Sequence, residues 1–292
     1  MKRCISCPRA CAVDREAGEV GFCSVGSEYL IGSADLHFWE EPCISGKEGS
    51  GAIFFSGCNL RCVFCQNKKI SRVPCGTLLS EDMLIQKMLE LQERGANNIN
   101  LVTPTPYALF LAKTLEKVKS KLDIPIVYNC GGYESLDSLR ALDGLVDIYL
   151  PDFKYFSDEL ALAYSSAPDY RKVATQAIRE MFRQVGAFEL DERGMAKRGL
   201  IVRHLVLPAC RADSFAVLEH LAKTLPTDKF MLSLMRQYTP DFADATAPSN
   251  LRRRLTSFEY QSVLDLASRL GFDGFSQQKD SASSVFTPDF DS

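Results

Sequence analysis

Nothing in this chain approaches the run of roughly 18 apolar residues that a membrane-spanning helix needs, and neither sign of charge dominates it. Thirty-four Lys and Arg stand against 37 Asp and Glu, a net charge of −3. A chain so balanced has no general attraction for nucleic acid or anionic lipid, so neither partner is expected. Its one basic run, Arg252-Arg253-Arg254, reads as a solvated turn before a helix. The opening MKRCISCPRACAVDR has no apolar core of the kind a secretory signal carries, and a cytoplasmic location is expected. Histidine is scarce, three residues in 292. His37 and His204 lie far in sequence from the cysteine motifs, and no H-x-C or C-x2-H pairing occurs, which argues against a mixed histidine–cysteine zinc site. No internal repeat is visible beyond an alternation of strand-like and helix-like segments.

What the chain does have is cysteine, eleven in all. In a reducing compartment an odd, clustered set does not read as structural disulfides. Three lie in GCNLRCVFCQN, residues 57–67, where Cys58, Cys62 and Cys65 are spaced C-x3-C-x2-C. Four thiolates would close a zinc site; three can take three corners of a 4Fe–4S cube and leave the fourth iron open, whereas ferredoxin spacings supply a fourth cysteine. The plain alternative is three thiols in a turn. Cys4, Cys7, Cys11 and Cys23 form a second group, C-x2-C-x3-C-x11-C. Four thiolates complete a tetrahedral site for zinc or an auxiliary iron–sulfur cluster; a redox dithiol at Cys4 and Cys7, or spare thiols on a flexible tail, are the other readings. Cys43, Cys75, Cys130 and Cys210 are isolated. Cys130 and Cys210 stand at strand ends, where they either face a site or fill the core.

From residue 49 a rhythm sets in. Apolar runs at 52–56, 99–103, 124–129, 146–151, 200–208 and 230–235, with a shorter one at 272–276, alternate with helical patterns. Near-continuous apolar strands imply a parallel sheet buried on both faces. Ser80 followed by Glu81 and Asp82 starts a helix that Gly95 stops, Gly186 ends another, and Thr256-Ser257-Phe258-Glu259 is a capping box. The expected fold class is α/β, a partial (β/α)6 TIM-type barrel at 49–277, with a cysteine-rich metal-binding extension at 1–48 and a loose tail at 278–292. Chemistry in such barrels sits at the C-terminal strand ends. Here those ends carry Gly57-Cys58, Thr103-Pro104-Thr105, Asn129-Cys130, Asp152-Phe153-Lys154, Pro208-Ala209-Cys210 and Arg236-Gln237-Tyr238.

The C-x3-C-x2-C motif with an aromatic residue before its last cysteine resembles the radical S-adenosylmethionine superfamily. The surrounding HFWEEPCISG, NINLVTPT, VDIYLPDFKY, RHLVLP and MRQYTP are similar to the branch containing the pyruvate formate-lyase activating enzyme and its uncharacterised related proteins. The resemblance implies a 4Fe–4S cluster on Cys58, Cys62 and Cys65, with S-adenosylmethionine chelating the open iron. It also implies reductive cleavage to a 5′-deoxyadenosyl radical, hydrogen abstraction from a polypeptide substrate, and a flavodoxin- or ferredoxin-type reductant. The cofactor carries the hard chemistry and the protein positions it.

Within that resemblance Asp152 takes the ribose hydroxyls and Lys154 the carboxylate, although the pair also reads as a surface ion pair. Thr103 and Thr105 stand where the superfamily usually has a glycine-rich segment meeting the amino group. Pro106 replaces the histidine usual in the relatives, so no acid–base role is carried over to it. Asn129 is the stronger candidate for the amino group. Arg203, a charge inside an apolar strand, is either a carboxylate contact or a buried structural ion pair. Tyr238 either meets adenine or ribose or caps the barrel; Trp39 packs or touches substrate; Lys68 and Lys69 read as solvated. Two other functions stay open: radical modification of a small metabolite or peptide, and a non-enzymatic iron–sulfur carrier or metal scaffold. The polar set at the strand ends speaks against the last.

Overall fold

The computed structural model describes residues 3–277 and Phe290. Ten strands make one sheet: β1 (Tyr29–His37), β2 (Ser50–Phe55), β3 (Thr77–Leu79), β4 (Ile99–Val102), β5 (Ile126–Cys130), β6 (Ile148–Pro151), β7 (Glu189–Leu190), β8 (Ala196–Leu205), β9 (Met231–Met235) and β10 (Gly274–Ser276). The lateral order is β10-β9-β8-β6-β5-β4-β2-β1-β3, with β7 beside β8. From β2 to β10 the main strands pair in parallel. β1 runs antiparallel to β2, and β3 antiparallel to β1. With β3 and β10 at opposite edges the sheet stays open, a partial TIM-type barrel.

Every residue of β2, β4, β5 and β6 is buried, because successive side chains point to opposite faces and both faces are covered. The outward set, including Ile53, Leu101, Tyr128 and Leu200, packs on the helices through Leu84, Met88, Leu115 and Met181. The inward set is split by height. At the lower end Val127, Ile148, Leu150 and Ile201 close on Cys43 and Ile44 of the short helix Pro42–Ser45. Asn98 and Asn97 fix this plug by donating to the carbonyls of Ile44 (2.7 Å) and Ser45 (2.8 Å). Above the plug the inward positions turn polar at Asn129, Asp152 and Arg203, while Phe54 and Val102 stay apolar, and the chain that leads into the plug carries Glu40 and Glu41 up among them.

The helix signals act as the sequence reads. The Ser80 side chain accepts from the Met83 amide, Gly95 has φ +84°, and the Thr256–Glu259 capping box is complete. β1 is a difference: residues 29–37, read with the extension, belong to the sheet. Their alternation is weak, with Tyr29 and Ile31 buried and the rest of the strand half-buried or exposed. Pairing with β2, Ala34 opposite Ile53, supplies the order that local pattern does not. The tail read at 278–292 lies outside the described residues except for Phe290, whose ring meets Phe54 edge-on at 5.6 Å. Among the described residues no helix is long and apolar enough to cross a membrane.

His204, on the outward face of β8, locks the strand end that carries the polar set. Its Nδ1 lies 2.8 Å from the Phe153 carbonyl and its Nε2 2.9 Å from Ser214 Oγ. A carbonyl only accepts, so Nδ1 carries the proton and Nε2 accepts from the serine. Burial pushes this imidazole down from 6.5 to about 4. On acidification the unfolded chain protonates first. The His204 contribution is therefore full above about pH 6.5 and drains away as pH falls toward 4, by on the order of 3 kcal/mol. Melting temperatures of the wild type and of His204→Gln between pH 7 and 4 check this. The variant should lose less over the range; equal losses would show that the acid sensitivity lies elsewhere.

Candidate active site

The loop after β2 begins at Gly57, with φ +81°. A Cβ there would lie 2.6 Å from Val25 and 2.7 Å from the Cys23 carbonyl oxygen, so both the left-handed turn and the close approach call for glycine. The loop is then tied down along its length. Val63 N–H donates to the Tyr164 carbonyl at 2.9 Å, Asn59 Nδ2 to that of Tyr133, and Arg72 to that of Cys62. Phe64, the aromatic before Cys65, is buried between the rings of Tyr164 (6.5 Å) and Tyr238 (6.1 Å).

These anchors turn Cys58, Cys62 and Cys65 onto the wall of one cavity of about 220 Å³. The sulfurs are equipped as anions. Cys58 accepts from the Leu60 amide at 3.4 Å, Cys65 from the Asn67 amide and from Ser71 Oγ at 3.4 Å, and Cys62 lies 2.9 Å from Ser165 Oγ. Burial first, and then the charge of Cys62, push Cys58 and Cys65 above the usual thiol range. Three half-buried thiols that repel one another as thiolates, yet receive hydrogen bonds suited to thiolates, fit a cationic iron centre that would hold them deprotonated. Among the described residues no three His, Cys, Asp or Glu side chains are already drawn to ligand distance. The assignment therefore rests on spacing, hydrogen bonding and chemistry.

The same cavity receives Thr103, Asn129, Asp152, Lys154, Arg203 and Tyr238. Asp152 accepts from Lys154 Nζ and, at 2.9 Å, from Arg203 Nε. Arg203 also donates to Glu40 at 3.2 Å and to Asn129 Oδ1. Glu40 Oε1 closes the ring by accepting from Asn129 (3.0 Å) and Asn100 (3.1 Å). Burial alone would raise the Asp152 carboxyl, but Lys154 and Arg203 hold it below the usual range. Burial alone would lower Lys154, but Asp152 outweighs it and the ammonium stays charged, with Cys62 adding to the pull. The geometry thus sets a cation beside the cysteine loop and an ionised acid beside the cation. Such a surface suits a zwitterion carrying a ribose.

Thr105 goes elsewhere. It is buried off the cavity wall, its hydroxyl donated at 2.7 Å to Glu134 Oε1. Glu134, which also accepts from Tyr128 at 3.1 Å, is pushed up to about 7 by burial. Thr103 reaches the wall with φ +59°, a conformation uncommon for a residue with a branched side chain. Tyr238 presents its ring to the cavity while its hydroxyl is taken by the Leu251 carbonyl. Trp39 stands on the rim, 56% exposed. Cys130 reaches the wall, whereas Cys210 is buried near Tyr164 and Asn250. Glu40, Glu41 and Asn100 escaped the sequence reading. The signal available was two adjacent acids in HFWEEPCI, directly before an apolar plug. Glu41 is buried with Oε2 unpartnered, and burial raises its carboxyl above the usual range.

Known proteins resemble this chain in sequence and in fold. The sequence profile of the Radical SAM superfamily matches residues 52–187. An uncharacterised protein of Methanocaldococcus jannaschii is 30% identical over 288 residues, 94% of this chain and 76% of that one. Spore photoproduct lyase superposes with a TM-score of 0.53 at 12% identity, covering 80% of this chain and 78% of its own. A radical SAM methyltransferase from Sphaerobacter thermophilus gives 0.52 at 13%, over 78% and 66%. Streptococcus suis SuiB bound to its precursor peptide SuiA gives 0.50 at 11%, over 76% and 46%. At these identities the solved structures are likenesses of fold.

Arg203 is the cation between two acids, 14% exposed against 11% for Glu40 and 13% for Asp152. Arg203→Leu should cost about 3 kcal/mol of stability, the low end for breaking a buried pair, since cavity water reaches this one. Adding Glu40→Gln should restore part of the loss. Denaturation of the single and double variants tests both statements; a single variant as stable as wild type would remove Arg203 from its place as the keystone of the network.

Proposed function

The chain belongs to the radical SAM superfamily, and from that membership we propose that it is an activating-enzyme-like protein that draws a hydrogen atom from a polypeptide. Membership implies a 4Fe–4S cluster, S-adenosylmethionine and a reductant; the reading here assigns the cluster to Cys58, Cys62 and Cys65 and the electron supply to a flavodoxin- or ferredoxin-type protein. When bound, cluster and cosubstrate together supply a 5′-deoxyadenosyl radical. The rest is done by the chain. Lys154 receives the cosubstrate carboxylate, Asp152 its ribose hydroxyls and Asn129 its amino group, with Thr103 and the ring of Tyr238 bounding the same space. Arg203 holds Asp152 and Asn129 in place from beneath. A second metal at Cys4, Cys7, Cys11 and Cys23, zinc or iron–sulfur, belongs to the same reading.

One observation carries the choice of a polypeptide. Phe290, from the far end of the chain, already rests edge-on against Phe54, a cavity-lining residue, in a cluster with Ala52 and Val102. The wall above the plug thus accepts an aromatic side chain borne on a backbone, which a pocket shaped to a small metabolite does not need to do.

Protein reconstituted anaerobically with iron and sulfide, then given dithionite and S-adenosylmethionine, should form 5′-deoxyadenosine. A fully loaded cluster that neither binds nor cleaves the cosubstrate would sink the enzyme reading. Lys154→Ala should keep its iron and bind S-adenosylmethionine more weakly by about 1.5–3 kcal/mol, the range for a hydrogen bond to a charged group. Anaerobic titration calorimetry measures this, and unchanged affinity would take Lys154 out of the site.

A further inference from the structure

We propose that the four N-terminal cysteines form a metal-thiolate clamp that fixes the three-cysteine loop of the barrel, with Phe22 as the joint between the two. This deepens the reading above and rests on the second metal in it.

The extension is built for thiolates. Cys7 accepts from the Arg9 amide, Cys23 from the Val25 amide and Cys11 from the Phe22 amide at 3.4 Å. The first two repeat the pattern of Cys58 with Leu60 and Cys65 with Asn67, in which the amide two residues on bonds the sulfur. The thiols are neighbours: Cys23 and Cys4 act on Cys7, and Cys4 and Cys11 act on Cys23. Gly21 is pressed so close that a Cβ would meet Cys11 Sγ at 2.9 Å. Ala10, Ala12 and Ser24, which flank Cys11 and Cys23, hold φ of 40°, 57° and 60°, strained values for residues with a Cβ. No apolar core accounts for that order. Among the described residues before β1, Val25 is the buried aliphatic one, beside Cys4, Ser6 and the cation Arg15. A segment this poor in core is the kind that a metal folds.

The clamp then meets the loop at named atoms. Phe22, next to Cys23, has the guanidinium of Arg9 at 3.9 Å and that of Arg61 at 4.1 Å from its ring centre. Arg9 lies between Cys7 and Cys11, and Arg61 between Cys58 and Cys62, so one ring couples the two cysteine motifs. Arg61 Nη2 also donates to the Phe22 carbonyl at 3.1 Å, and Arg9 Nε to the Asn59 carbonyl at 2.9 Å. Gly57 closes the contact against Cys23 and Val25.

The test uses full-length protein reconstituted anaerobically: wild type, Cys4→Ser with Cys7→Ser, Phe22→Ala and Phe22→Tyr. Zinc, iron and sulfide are counted per chain, and iron release from the barrel cluster to a chelator is timed. Wild type should hold one zinc, or a second set of iron and sulfide, beyond the barrel cluster. The double cysteine variant should lose only that increment. It and Phe22→Ala should release barrel iron roughly three- to thirtyfold faster, the factor that contacts between a cation and an aromatic face carry. Phe22→Tyr should behave as wild type. A Cys58→Ala, Cys62→Ala, Cys65→Ala variant should still hold the increment. No metal beyond the barrel cluster would refute the second centre; a second metal whose loss leaves iron release unchanged would refute the clamp and leave the centre standing.

Discussion

The buried guanidinium of Arg203 is the interaction on which the site depends. It bonds Asp152, Glu40 and Asn129 at once, and its charge is the largest influence opposing the burial of Glu41. Without it three carboxylates would face one another at the top of a narrow barrel, and at least one would take up a proton. With it, the acids stay ordered and Lys154 is left to lean on Asp152 from the side nearest Cys62. The polarity of the cavity follows from this one placement: acids and a bonded cation below, a cation and three sulfurs above.

That placement is in turn a product of the strand period. Residues 148, 150 and 152, or 201 and 203, share one face, so a strand whose lower inward positions are apolar delivers its next inward residue to the cavity. The plug at Cys43 and Ile44 fills the lower layer, and the residues just before it deliver Glu40 to the upper one. The core below and the site above are consecutive layers of the same side-chain stack, so the strands that pack the lower layer also place Asn100, Asn129 and Arg203, while Glu40 enters from the segment between β1 and the plug helix.

Much of this was legible in the sequence, and the reasons are local. The parallel strands announce themselves because they are apolar on both faces, and the three-cysteine loop because its spacing is tied to one chemistry. Asp152, Lys154 and Asn129 are found by asking which polar residues end apolar runs. Glu40 escaped that question because it comes up from below, on the short segment between β1 and the plug helix, and not from the end of an apolar strand. Thr105 parts from the other strand-end residues for the opposite reason: it follows a strand end, but a short helical turn at Thr105–Tyr107 rotates its hydroxyl to Glu134, and nothing in the sequence marks Glu134 as buried. Arg203 was visible as an anomaly; its role as a hub needs Glu40, which only tertiary structure supplies.

The contact of Phe290 with Phe54 has a kinetic side. A residue tethered to the protein meets the wall at an effective concentration in the millimolar range, set by its linker and not by dilution. Any molecule that is to occupy the same wall must displace that internal occupant, so a weakly held one is kept out while one with enough contacts of its own moves the ring aside. The Phe290 ring thereby sets a threshold on occupancy of that wall, raising by one common factor the apparent half-saturation of whatever competes with it.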